Sequence, residues 1–462
     1  MTISERYQNH VMQCWSSQEG YHPIEVEHTE GCWIHTKDGR KIFDLRSAHE
    51  CINLGFNHPK VKAAVQVALE QPIYVTDDFA VEATARLAQK LAELTPGPAN
   101  KKIWFGQSGA ASVEAAIKTA RMYKYNQLME HGTEAFDAGR QYPFPYKIIG
   151  RYRSWHGGTT AASSVSGDPR RWFTEPFTMP GVVFAPDSFP YRSVFGEDGD
   201  GKKSADYLEY LIEMEGGSGS VAAVLIEPVV GSNGVIPTPK PYMKRVRELC
   251  DKNGLLLIVD ETMTGMGRTG SFLAIDQYDV IPDIIIMGKA LGATIPLSAT
   301  IMQEHVARVF DAHIFGHGQS YSGHALACAT ALANIEILTE EVLPELPEKS
   351  TYLHQRLQDL YDRHPSVGEV RGLGMMWTLE LVKNRDSKAS FRTFTEKYVN
   401  TPVKQLSKYL LEQENIYVPG DKFGLWVVPP LIVTEEEIDW VCNGLSRGLT
   451  HLDNGDFTDH ET

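Results

Sequence analysis

The sequence predicts an α/β fold with a mostly parallel sheet. Three short apolar runs carry that expectation: VAAVLIEP at 221–228, LLLIVDE at 255–261 and DIIIMGK at 283–289. Strands buried on both faces of a parallel sheet read as such unbroken runs. Between the first two lies PYMKRVRELCDKNG, where Val246, Leu249 and Cys250 recur at helical spacing and Gly254 stands as a cap. Strand, helix and strand in that order form a βαβ unit.

The other elements follow in order. Residues 1–60 alternate short apolar stretches with turn signals, and Asp38-Gly39 in GCWIHTKDGRKIFDL predicts a hairpin. VKAAVQVALEQ and VEATARLAQKLAEL then predict helices, the second stopped by Thr95-Pro96-Gly97. A long helix begins within SYSGHALACATALANIEIL. The remainder to about residue 450 mixes helices and short strands as a second, α+β lobe, and the polar tail HLDNGDFTDHET is expected to fray.

A length of 462 residues suggests two or three packed lobes. The composition, 42% hydrophobic and 22% charged, is that of a soluble globular chain. A formal charge of −15 leaves no basic surplus to neutralise phosphates, which argues against general nucleic-acid binding. The longest apolar runs are too short to cross a bilayer, so no membrane association is expected. MTISERYQNH lacks the regions of a signal peptide. Six cysteines, at 14, 32, 51, 250, 328 and 442, show no C-x-x-C pair or metal-ligand spacing, so no metal is expected. They read as buried thiols in a reducing compartment, the cytoplasm.

Three features fall at the ends of predicted elements. WFGQSGAASVEAAIKTAR is a strand end, a small-residue turn and a helix start. Backbone N–H groups of Ser108, Gly109 and Ala110 suit a phosphate there, although an ordinary capped helix reads the same way. Asp260 ends an apolar strand at the edge where parallel sheets bind ligands; a helix cap or a structural ion pair is the alternative. Lys289 follows DIIIMG, and a lysine beside a buried strand is costly unless its charge is paired or lost. It either reaches solvent or reacts as the amine of a Schiff base. A phosphate cradle, an acid for a ring nitrogen and an amine for an aldehyde together match pyridoxal 5′-phosphate.

From about residue 20 to 445 the chain resembles a class III aminotransferase of PLP fold type I. The strongest match is IVDETMTGMGRTGSF, close to the family's D-E-V-x-x-G-x-G-R-T-G, followed by PDIIIMGKALGATIPLSA. LTPGPANKKIWFGQSGAASVEAAIK, SWHGGT, IEPVVGSNGV, GHGQSYSGHALA, VRGLGMMWTLEL and VVPPL match in the same order. The resemblance implies a large cofactor-binding domain over 61–325, its mostly parallel sheet sandwiched by helices. It also implies a small α+β domain formed by both termini, 326–462 with the N-terminal segment 1–60.

Roles are implied residue by residue. Lys289 would bind the cofactor as a Schiff base and shuttle a proton, and Asp260 would pair with the pyridinium nitrogen. Ser108, Gly109 and Ala110 would contact the phosphate, and Ser320 would reach it from the neighbouring subunit. Trp155 would stack on the ring beside His156 and Gly157, with Glu227 hydrogen-bonding nearby. Thr262 stands where the family has the valine behind the ring, and Met263 follows it. Ala111, Val113 and Ser298 are further departures from the family pattern. Active sites of this family lie between subunits, so a homodimer or larger homo-oligomer is expected.

HVMQCWSSQEGYHPIEV resembles the N-terminal segment of taurine aminotransferases, as does Met263 in the central motif. The resemblance makes taurine the leading amino donor, with 2-oxoglutarate or pyruvate as acceptor. β-Alanine, 4-aminobutyrate or another primary amine is the alternative, as is an amino-acid racemase on the same fold. Trp15 would help bind the sulfonate through its indole N–H, or else anchor the N-terminal arm. Trp426, in GLWVVPPL, stands near the place where many relatives have an arginine. A carboxylate acceptor still needs a cation. Arg153, two residues from Trp155, is the first candidate, with Arg151 and Lys422 behind it.

Overall fold

The computed structural model of the chain describes residues 1–131, 144–392, 400–420 and 423–458. Its centre is a seven-stranded sheet in the order Lys102–Gly106, Ser298–Met302, Ile284–Met287, Leu256–Asp260, Val221–Ile226, Lys147–Arg151, Val182–Ala185. The five strands from Ile284–Met287 to Val182–Ala185 run parallel, and Ser298–Met302 runs antiparallel to both neighbours.

Alternation along the three apolar runs explains their composition. Ala223, Leu225, Leu256, Ile258, Ile284 and Ile286 pack into one hydrophobic cluster. Val224, Ile226, Leu257, Val259, Ile285 and Met287 pack into another. Successive side chains point to opposite faces, so a strand covered on both sides has no position left for a polar residue. The helix Gly109–His131 covers one face. The helix Lys240–Lys252 packs on the other, burying Met243, Val246, Leu249 and Cys250, and the chain turns after it at Gly254 with φ +60°. Each apolar run extends beyond its strand, leaving Glu227, Glu261 and Lys289 past the carboxyl ends.

The expected hairpin forms between Trp33–Thr36 and Lys41–Asp44, with Gly39 at φ +85°. Lys41–Asp44 then pairs in parallel with Ile416–Tyr417, joining the N-terminal segment to the C-terminal part of the chain. There Val367–Leu373, Met376–Asn384 and Gly424–Val427 form an antiparallel sheet. The last helix runs Glu435–Asp453, so the expected frayed tail is helical at its start, and residues 459–462 lie outside the described ones. No helix among the described residues is long and apolar enough to cross a membrane.

The cysteine expectation needs one correction. Cys32, Cys250, Cys328 and Cys442 are buried, but Cys14 is exposed and Cys51 half-buried. Burial pushes the Cys250 and Cys442 thiols up to about 12, which leaves them unreactive.

Arg268 fastens both ends of the chain beside the central sheet. Its fully buried guanidinium donates to Ser47 Oγ at 3.1 Å, Asn53 Oδ1 at 2.6 Å, Met375 O at 3.1 Å and Pro429 O at 2.6 Å. Arg268→Met keeps the bulk but strands these acceptors, at a cost of about 3–5 kcal/mol. Guanidinium unfolding should show the midpoint fall accordingly, and an unchanged midpoint would contradict this role of Arg268.

Candidate active site

A cavity of about 580 Å³ opens at the carboxyl edge of the sheet. Several strand ends supply its walls. Asp260 is the last residue of its strand, Glu227 follows Ile226, and Lys289 lies two residues after Met287. Trp155, His156 and Gly157 come from the loop after Lys147–Arg151, and Gly109 and Ala110 open the helix after Lys102–Gly106. Thr262, Met263 and Trp426 complete the part of the wall anticipated from sequence, and Trp15 reaches it from the N-terminal segment.

Asp260 is only 4% exposed, and both its oxygens are engaged. Oδ1 accepts from the Thr262 N–H at 3.0 Å, and Oδ2 lies 2.7 Å from His156 Nδ1. The other ring nitrogen of His156 is buried without a hydrogen-bond partner among the described residues. Glu227 accepts from the N–H groups of Trp155 at 3.0 Å and Gly231 at 3.1 Å. Burial raises its pKa most strongly; His156 opposes the shift and Asp260 adds to it. Glu227 thus orients the loop that carries Trp155.

The wall is shaped to admit a flat, phosphorylated group. The first N–H groups of the helix Gly109–His131 have no partner within the helix. Ser108 Oγ accepts from the Ala111 N–H at 3.2 Å, leaving Gly109 and Ala110 at the cavity. A Cβ on Gly109 would lie 2.7 Å from Thr262 Cγ2, so only glycine lets the backbone approach that closely. The hydroxyl of Thr262 is buried with no partner among the described residues, a donor awaiting an acceptor. Amides, a hydroxyl, a carboxylate, an aromatic face and a lysine are the donor set that pyridoxal phosphate requires, and these residues fit it.

Trp15 is 57% exposed and meets Trp155 edge to face at 5.5 Å. Arg170 lies 3.6 Å over the Trp155 ring and is held by Asp168 through Nε at 2.9 Å and Nη2 at 3.1 Å. These contacts anchor the arm carrying Trp15 at the cavity mouth.

Other expected residues lie elsewhere. Ser108 caps its helix through its side chain and does not line the cavity. Ser320 sits in an exposed loop away from this chain's cavity. The side chain of Arg153 pairs with Asp187 at 2.8 Å between the rings of Phe189 and Phe423, off the cavity wall. Arg151 is fully buried, donating to Ser188, Thr238 and the Glu227 carbonyl. Lys422 falls outside the described residues.

Among the residues that the sequence did not disclose, Arg46, Arg170, Arg392 and Lys404 line the cavity, and Glu50 reaches Lys289. Arg46 lines the cavity, its guanidinium 4.6 Å from the Trp426 ring. Its Nε pairs at 3.1 Å with Glu50, whose other oxygen lies 2.6 Å from Lys289 Nζ. For Arg46 and Glu50 the one available signal was a pair of charges within RSAHECINL, a stretch with no helical or strand periodicity.

Comparison with known proteins agrees with this geometry. Residues 15–449 match the family described as "Aminotransferase class-III". The diaminobutyrate–2-oxoglutarate transaminase of Halomonas elongata is 34% identical over 92% of this chain and 89% of its own length. The isoleucine 2-epimerase of Lentilactobacillus buchneri is 30% identical over 96% and 93%. Among solved structures, the taurine:2-oxoglutarate aminotransferase from Bifidobacterium kashiwanohense, in complex with PLP and glutamate, superposes with a TM-score of 0.89. It is 30% identical to this chain, with 98% of each chain covered.

Proposed function

The chain belongs to the class III aminotransferases, PLP-dependent enzymes of fold type I, and from that premise we propose that it moves the terminal amino group of taurine, or of a similar ω-amino acid, to a 2-oxo acid. With taurine the products are sulfoacetaldehyde and, from 2-oxoglutarate or pyruvate, glutamate or alanine. The carrying observation is a cavity whose wall carries cations, Arg46 beside Trp426 and Arg170 over the Trp15–Trp155 pair. A donor with an anionic end suits it, and the likeness to a taurine:2-oxoglutarate aminotransferase supports the same choice.

When bound, pyridoxal phosphate supplies an aldehyde that takes the amino group and a ring that withdraws electrons from the donor carbon. In this reading Lys289 holds the cofactor and, once freed, moves one proton at Nζ. Asp260 keeps the ring nitrogen protonated, and His156 holds that carboxylate in place. Trp155 would offer its ring to one face of the cofactor. Gly109, Ala110 and the Thr262 hydroxyl receive the phosphate end, with Met263 and Gly157 closing the wall. Trp15 closes the mouth and offers its indole N–H to the donor's anionic group.

Arg46 takes the role first expected of Arg153, because it lines the wall, as Arg170 and Arg392 also do, whereas Arg153 is turned away to Asp187. Arg46→Ala should raise KM for 2-oxoglutarate and for taurine about 10- to 100-fold. An uncharged primary amine should be affected far less. Equal effects on all three substrates would remove Arg46 from anion recognition.

The proposed assembly is a cytoplasmic homodimer or larger homo-oligomer in which Ser320 serves a neighbour's phosphate site. Its exposure, away from its own chain's cavity, supports that reading. Activity across taurine, β-alanine, 4-aminobutyrate and diamines, each with pyruvate and 2-oxoglutarate, tests the substrate assignment. Rapid turnover of β-alanine alongside inertness to taurine would reject it. The likeness to an isoleucine 2-epimerase favours one second reading, interconversion of amino-acid enantiomers. Chiral chromatography without any oxo acid decides between the two.

A further inference from the structure

Residues Ser47, Ala48, His49 and Glu50 have φ of +48°, +47°, +61° and +60°. This is one left-handed turn made of four L-residues and no glycine. Each such residue is disfavoured against the right-handed form, so the turn persists only where its surroundings over-determine it. They do. Asp44 accepts from the N–H of Arg46 at 2.9 Å and of Ala48 at 2.6 Å. The Ser47 hydroxyl donates to the Val428 carbonyl at 2.6 Å and accepts from Arg268 at 3.1 Å.

What the turn delivers is the Glu50 side chain, 0% exposed, with Oε2 at 2.6 Å from Lys289 Nζ and Oε1 at 3.1 Å from Arg46 Nε. Lys289 itself sits at φ +46°, so both partners of the contact are held in strained backbone. A buried carboxylate is costly unless paired, and hydrophobic packing would have served stability as well. Strain spent on placing one buried acid against one amine marks a functional contact.

We propose that Glu50 is the positioning residue for the free amine of Lys289. It receives the side chain as an ammonium whenever the lysine is not bonded to the cofactor. It also stabilises the charge that Nζ gains on taking a proton from the substrate carbon. This rests on the aminotransferase reading above and deepens it. The step is balanced: Nζ takes up one proton and returns it, and no bond forms or breaks at Glu50.

Glu50 stays ionised throughout. Burial, the strongest influence, opposes its charge, but Lys289 and Arg46 outweigh it and hold the carboxyl at about 2. Asp44 and His49 on its own segment, Arg268 and Tyr417 from the packed neighbours, and Cys51 are the other titratable groups around it. Its contribution to stability is therefore present above about pH 4.5, the usual carboxyl value, and is lost only as pH falls towards about 2. Changes seen between about pH 6 and 10 report on its partners.

The test uses Glu50→Gln and Glu50→Asp. Protein loaded with pyridoxamine phosphate, in which Lys289 is not bonded to the cofactor, is treated with acetic anhydride across pH, and acetylation of the Lys289 peptide is followed by mass spectrometry. Glu50→Gln should shift the acetylation profile to lower pH. In turnover its kcat should fall about 10- to 100-fold. The isotope effect of a donor deuterated at the reacting carbon should rise, with donor KM changed by less than about twofold. Glu50→Asp should recover part of the loss. An unchanged acetylation profile and isotope effect in Glu50→Gln, even with reduced melting temperature, would overturn the proposal and leave Glu50 a structural ion-pair member. Borohydride reduction of the wild-type holoenzyme is run beside it. A missing pyridoxyl label on Lys289 would instead sink the aminotransferase reading of that lysine.

Discussion

Replacing Lys289 with alanine will leave amino transfer undetectable and remove the yellow absorbance of the bound cofactor. In the proposed reading two functions disappear together: the covalent hold on the cofactor and the group that moves the proton. General acid–base catalysis alone is worth about 10²–10⁴-fold, so a loss of at least about 10⁴-fold is expected. The structure adds a second consequence. Glu50 loses the ammonium 2.6 Å away and keeps Arg46 and the nearby Arg268, so its carboxyl should rise from about 2. The variant will then lose stability at a higher pH than the wild type on acidification, because the carboxylate loses part of the stabilisation of its charge. Circular dichroism separates this from misfolding: a native spectrum at neutral pH with no turnover is the expected pair of observations. Normal activity in a Lys289→Ala protein would end the assignment.

Asp260→Asn carries the second largest expectation. The amide keeps the size of the carboxylate and can still accept from the Thr262 N–H while facing His156. What it loses is charge and, in the proposed reading, the means to keep a ring nitrogen protonated. An ion pair at about 4 Å in an effective dielectric of about 20 is worth about 4 kcal/mol. If that stabilisation matters mainly in the transition state, kcat falls about 10³-fold, while the KM of the acceptor changes little. Because Asp260 is 4% exposed, solvent cannot replace the missing charge. Equal falls in kcat and rises in KM would point instead to a displaced cofactor, which a loss of retained pyridoxal phosphate after gel filtration would register.

Some residues were legible early for a physical reason. Asp260 and Lys289 terminate apolar runs, and a charged side chain in that place has few explanations once the run is buried on both faces. Trp15 was legible from the resemblance of its segment, and the structure brings it to Trp155 across 140 positions of chain. Arg153 shows the opposite case. Its nearness to Trp155 in sequence suggested nearness to the cavity, yet its φ of +69° turns the side chain to Asp187. Two residues of separation fix how far apart backbones lie, not where their side chains point.

The amino-acid order alone pointed to the parallel sheet, to Asp260 and Lys289 at the ends of apolar runs, and to the glycine-bearing helix start. Each is a local pattern, in which burial or backbone freedom leaves its mark on neighbouring residue types. Only the folded chain decided that Glu50 meets Lys289 across 239 positions and that Arg46, not Arg153, faces the cavity. The left-handed turn that makes both contacts contains no glycine to announce it. Asp44 holds it locally, and the bonds of Ser47 to Val428 and Arg268 hold it only once both ends of the chain have packed against the central sheet.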